Sequence, residues 1–131
     1  MNSCYIKKNT TIITIIFVTS IGLGAAEALA DVPESQKQEV EHLLEFVSTS
    51  DCEFERNGKK HPGEKASSHM NRKYNHFRDK ITTTEEFIEY SGTKSTRSGE
   101  EYLIYCGTSD PITSKDWLLE ELRVYRQKDT R

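Results

Sequence analysis

Cys52-Glu53-Phe54-Glu55-Arg56-Asn57-Gly58-Lys59-Lys60-His61-Pro62 is the stretch on which the fold turns. Residues 52–56 alternate as a half-buried strand does. Asn57-Gly58 follows, the pair that most readily takes the two positive-φ positions of a tight hairpin. Lys59-Lys60-His61 makes the return strand, and Pro62, with no amide to donate to a ladder, stops it early. Later in the chain, Tyr102-Leu103-Ile104-Tyr105-Cys106 has the aromatic and β-branched make-up of a strand. Cys52 opens the first strand and Cys106 closes the last. Pairing them antiparallel with the cysteines opposed sets Phe54 against Ile104 and Arg56 against Tyr102, and brings the two sulfurs within bridging range. One face then carries Cys52, Cys106, Phe54 and Ile104. The expected core of the fold is a three-stranded antiparallel sheet with the Cys52 strand in the middle.

Helices surround that sheet. Val40, Leu43, Leu44 and Val47 recur at helical spacing, which predicts an amphipathic helix from Pro33 to Ser48, with proline where a first turn tolerates it. A second helix is predicted over Glu64–Ile81, its inward face carrying Ala66, Met70, Tyr74, Phe77 and Ile81. Thr83 and Glu86 form a capping box for a short third helix through Phe87, Ile88 and Tyr90. Ser91–Gly99 reads as an exposed loop, and Gly107–Thr113 as a turn. Ser114 is placed to cap a last helix through Trp117, Leu118, Leu122 and Tyr125. The class is α+β, in the order α-β-β-α-α-β-α, with about four helices and one disulfide.

The beginning of the chain reads differently. Lys7 and Lys8 precede a run without charge from Thr10 to Ala26, rich in isoleucine, and Ala28-Leu29-Ala30 ends it. A positive start, an apolar middle and small residues at the two positions a signal peptidase grips make a secretory signal, with cleavage expected after Ala30. Residues 31–131 then form one small domain. Removing Lys7, Lys8 and Glu27 leaves 16 basic and 20 acidic residues, a net charge of −4. A mildly acidic chain argues against nucleic acid and anionic membrane surfaces as partners. No second apolar run is long enough to span a bilayer after signal cleavage. Cys4 leaves with the signal, so Cys52 and Cys106 are the two remaining cysteines, and pairing is expected for an exported small domain.

The familiar catalytic signatures are absent: no phosphate-cradling glycine loop, no zinc-protease helix, no nucleophile elbow. His42, His61, His69 and His76 lack close metal-ligand spacing, so no metal and no cofactor is expected. What remains is a polar group on the second helix. Lys73 falls inside the apolar stripe, between Met70 and Phe77, with His69 one turn earlier at its edge. Lys73 either snorkels, methylenes packed and ammonium wet, or converges with His69 and Arg56 on an anion. That anion is a carboxylate of this chain, such as Glu55 or Glu86, or a ligand.

Phe54-Glu55-Arg56-Asn57-Gly58, then Ala66 with His69 and Lys73, Phe87-Ile88, and Ser98-Gly99 through Tyr102 together resemble the YfeK-like family, small exported proteobacterial proteins with a domain of unknown function. The resemblance covers nearly all of residues 31–131 and implies a periplasmic location. It carries no activity. Its polar motif falls on Arg56, Asn57, His69 and Lys73, the candidate ligand- or partner-binding residues. The charged Thr93–Glu101 segment departs from the relatives, which tend to carry serines and a Gly-Lys-Pro-like stretch there. The reading favoured is a non-enzymatic binding or interaction module of the cell envelope, its partner an envelope protein or a small anionic ligand. The alternative is a small envelope hydrolase or transferase with His69 as general base and Lys73 or Arg56 stabilising negative charge.

Overall fold

A computed structural model describes residues 31–130; the expected signal segment, residues 1–30, lies outside the described residues. Helix α1 (Glu34–Ser48) follows Pro33 and is succeeded by strands β1 (Glu53–Arg56) and β2 (Lys59–Pro62). Helix α2 (Gly63–Phe77) leads through a 3-10 turn, Arg78–Lys80, into the short helix α3 (Thr84–Phe87) and a π-turn, Ile88–Gly92. Strands β3 (Leu103–Tyr105) and β4 (Ile112–Thr113) precede the final helix, α4 (Ser114–Asp129). The sheet is antiparallel in the order β2-β1-β3-β4.

The hairpin turn forms as expected, with Asn57 at φ 51° and Gly58 at φ 72°. Phe54 lies opposite Ile104 in the β1–β3 ladder. Just beyond its end, Cys52 and Cys106 are joined as a disulfide with their Cα atoms 4.5 Å apart. The inner face is also as expected: Phe54 is 6% exposed and Ile104 1%, and both belong to a core with Val40, Leu43 and Val47 of α1, Met70 and Tyr74 of α2, Phe87, Ile88, Leu118 and Leu122. The outer face is polar, with Lys60 bonded to Glu53 at 2.9 Å and lying 3.9 Å from the Tyr105 ring centre.

Four expectations need correction. The sheet has four strands rather than three, and the order is α-β-β-α-α-β-β-α, because Ile112 and Thr113 return beside β3 in a stretch read as a turn. Two residues are too few to show a period of two. Helix α2 ends at Phe77 rather than Ile81, and Ile81 reaches the core, 0% exposed, from extended backbone after the 3-10 turn. The Ser91–Gly99 segment is not simply exposed. Ser91, Gly92, Thr93 and Ser95 are buried, the first two in the turn packed against α2 and α4, and the Thr93 hydroxyl donates to the Ile88 carbonyl at 3.0 Å. Small polar residues read as loop, yet their size also lets them fit beneath helices. Finally, Thr113 caps α4 by accepting from the Asp116 amide, while Ser114 is the first helical residue and its amide donates to the Tyr102 carbonyl. The Thr83 cap holds: its hydroxyl accepts from the Glu86 amide, and the Glu86 carboxylate accepts from the Thr82 amide and hydroxyl.

One glycine sets how closely α1 and α2 approach. Gly63 opens α2 directly after Pro62, and a Cβ there would overlap the Val47 carbonyl oxygen and lie 3.0 Å from that of Ser50. Both atoms are backbone, so neither yields without moving the end of α1. Gly63→Ala is therefore expected to destabilise the domain by about 2 kcal/mol or more in urea titrations. A melt superimposing on wild type would show that the two helices have slack here.

Candidate functional site

The inner face of the sheet does not stay apolar to its end. Beyond Phe54, β1 places Arg56 on the same side, β2 places His61 opposite Phe54, and the chain entering β3 brings Tyr102 alongside. Helix α2 crosses above them. Ala66, His69 and Met70 line its near side, Lys65 and Arg72 its rim, and Gly92 and Ser114 close the inner end. Between hairpin and helix lies a cleft of about 460 Å³, within the range of small-molecule sites.

Positive charge collects here. Elsewhere about half of the described cations are paired: Lys37 with Glu34, Lys60 with Glu53, Arg78 with Asp31, Lys115 with Glu89, Arg123 with Glu120, and Arg126 with both Glu39 and Glu85. Lys59, Lys80, Lys94, Arg97 and Lys128 have no carboxylate oxygen within 4 Å among the described residues. Among the described residues no carboxylate oxygen lies within 4 Å of Arg56, Lys65, Arg72 or Lys73. The crowding is felt by the groups that titrate. Burial, and then the Arg56 charge, pull the His69 imidazole from its ordinary 6.5 down to about 4, with Lys73, Arg72 and His61 adding to it. His61 is lowered by burial and by Arg56 as well. Both rings are thus neutral at pH 7. The His69 Nε2 lies 3.2 Å from the Tyr102 hydroxyl, and the ring packs edge-on against the tyrosine.

The four residues singled out from the sequence are brought to one neighbourhood but not to one point. Arg56 and His69 face the cleft. Lys73 is 8% exposed and turns the other way, donating to the Lys94 carbonyl at 2.6 Å with its ammonium 5.4 Å from the Tyr102 ring centre. It neither snorkels freely nor meets Glu55 or Glu86. Burial first, then Arg56, bring its ammonium down to about 8, against the opposing pull of Glu89. Asn57 stands on the hairpin turn and accepts from the Ser98 hydroxyl at 2.7 Å, so it ties the hairpin to the Ser95–Gly99 loop rather than lining the cleft. Among the described residues no three His, Cys, Asp or Glu side chains are grouped to hold a metal ion.

Sequence reasoning missed the basic rim. Lys65, His69 and Arg72 are spaced four and three apart, one face of a helix, and that spacing was visible. Tyr102 was already implied by its register with Arg56. Ser114 and Gly92 carry no local signal, because tertiary packing alone brings them to the cleft.

The class this defines is a small α+β domain whose disulfide-clipped sheet and one helix enclose a basic cleft. The chain belongs to the family of unknown function DUF5329, whose model matches residues 34–126. No curated protein and no solved structure matches it. Among the described residues no helix is long and apolar enough to cross a membrane.

The neutral state of His69 has a measurable cost in acid. Between pH 6.5 and 4 the unfolded chain binds a proton at this position that the native state refuses, so stability present above pH 6.5 is lost as pH falls towards 4. Wild type should therefore lose more unfolding free energy than His69→Gln between neutral pH and pH 4.5, a comparison that cancels the carboxylates common to both. Parallel stability curves would mean the imidazole titrates normally.

Proposed function

We propose that this protein is an exported binding module of the cell envelope, and that the cleft between hairpin and α2 takes a small anionic ligand. The observation that carries the reading is the gathering of cations around the cleft with no carboxylate oxygen within 4 Å of any of them among the described residues. A folded chain usually arranges opposite charges around its basic side chains, and about half of the other described cations are so arranged, whereas none of the four in this one neighbourhood is. Arg56 is suited to the role, since its planar guanidinium donates two parallel hydrogen bonds to a carboxylate or phosphate. His69 and Tyr102, both neutral, offer polar contacts without adding charge.

The hydrolase or transferase reading has less support. The His69 ring is hydrogen-bonded to Tyr102, and no serine, threonine or cysteine bonds to it among the described residues. An imidazole that protonates only near pH 4 is also a weak proton acceptor at neutral pH.

Export rests on the signal-like segment ending at Ala30 and is supported by the joined cysteines, which persist in oxidising compartments. The YfeK-like resemblance points to the periplasm of a Gram-negative cell.

Two measurements test this reading. The intact mass of the native protein should begin at Asp31, with neither cysteine alkylated before reduction; a retained Met1 or two reactive thiols would refute export. At constant ionic strength, acetate or inorganic phosphate should raise the melting temperature of wild type relative to chloride, as any ligand selective for the native state does. That rise should vanish in Arg56→Gln and survive in Lys115→Gln. Equal rises in all three proteins would show a general salt effect and sink the binding site.

A further inference from the structure

The lining of the cleft is divided in a way that narrows the ligand. Its mouth carries Arg56, Lys65 and Arg72, and against them Glu64, while the Glu55 side chain lies on the outer face of the sheet with Lys60 and Tyr105. Three cations against one carboxylate leave an excess of positive charge, to which neither His61 nor His69 adds at pH 7. The inner surface is of another kind. Phe54, Ala66, Met70 and Gly92 present carbon to the cleft, and Gly92 carries no side chain where Met70 and Leu118 already fill the space. A bare inorganic ion leaves that surface wet. A ligand with an apolar body covers it, gaining about fourfold in affinity for each methylene removed from water.

Resting on the reading of the cleft as an anion site, we infer that its ligand is a small amphipathic carboxylate, its headgroup gripped by Arg56 at the mouth and its apolar body laid along Ala66, Met70 and Gly92. The carboxylate is planar with two oxygens, the shape a guanidinium fork matches. Tyr102 and His69 flank the head and supply polar contacts beside the arginine. Two sources share this chemistry, a short fatty acid and the carboxyl end of a peptide with an apolar last residue.

The test is a titration of the disulfide-bonded protein, followed by amide and side-chain chemical shifts, with octanoate, N-acetyl-L-leucine, acetate, inorganic phosphate and 1-octanol as the probes. At least one of the first two should bind about fiftyfold tighter than acetate, the return on roughly three buried methylenes, and should move the resonances of Arg56, His69 and Tyr102. The tighter of the pair identifies the source. Arg56→Gln should weaken that probe by about tenfold or more, the scale of a lost charge-assisted pair. Ala66→Leu, which fills the floor, should weaken it by a larger factor than it weakens acetate. Acetate binding as tightly as octanoate would overturn the inference, as would octanol equalling octanoate. Phosphate binding tightest, and lost in Arg56→Gln, would overturn it while leaving the anion site intact. No probe perturbing the cleft would overturn both.

Discussion

The pairing of β1 with β3 is the constraint from which the rest follows. The two strands are short, and neither is held by a tight turn to the other. A bridge between Cys52 and Cys106 closes a separation of 54 residues just past the last rung of the ladder. In the chain-entropy account, a closure of that length stabilises by about 4 kcal/mol, against a total of about 5–15 kcal/mol for an ordinary domain. The bridge also leaves no freedom of register. With Phe54 locked onto Ile104, Arg56 must emerge beside Tyr102, and a slip of one residue would send the arginine to the opposite face.

Holding several cations together costs free energy, and the fold limits that cost in three ways. Arg56 is only half-buried and Lys65 and Arg72 are exposed, so water screens their mutual repulsion. The two imidazoles nearest them give up their protons instead of adding to the charge. Lys73, the one truly buried cation of the group, is turned to the Lys94 carbonyl, a neutral acceptor outside the cleft lining. The neighbouring loop is therefore fastened twice to this region, once by Lys73 and once by Asn57 through Ser98.

Much of this arrangement was legible in the chain. The Asn57-Gly58 turn, the strand register, the disulfide and the inward faces of α1 and α4 all rest on local chemistry or on a pattern of fixed period. So did the choice of Arg56 and His69. What escaped was decided by tertiary packing. Lys73 was recognised as anomalous, but its partner is a backbone carbonyl, which has no sequence signature. Thr93 and Ser95 looked like solvent-facing loop because hydroxyls suit both water and the backbone bonds that satisfy them inside. Strand β4 is a product of where the Gly107–Asp110 turn delivers the chain, and two residues of it are all that pair.

The same outer strands settle how the sheet ends. On one side β4 offers a neighbour only two residues, one of them the 46%-exposed Ile112. On the other, β2 presents Lys59 and Lys60 and stops at Pro62, a residue with no hydrogen to give. Neither margin is a template on which a stray peptide could lengthen the ladder. Among the described residues the one long-range β pairing thus lies at the centre of the sheet, beside the bridge, and the borders are left sterile to fibril growth.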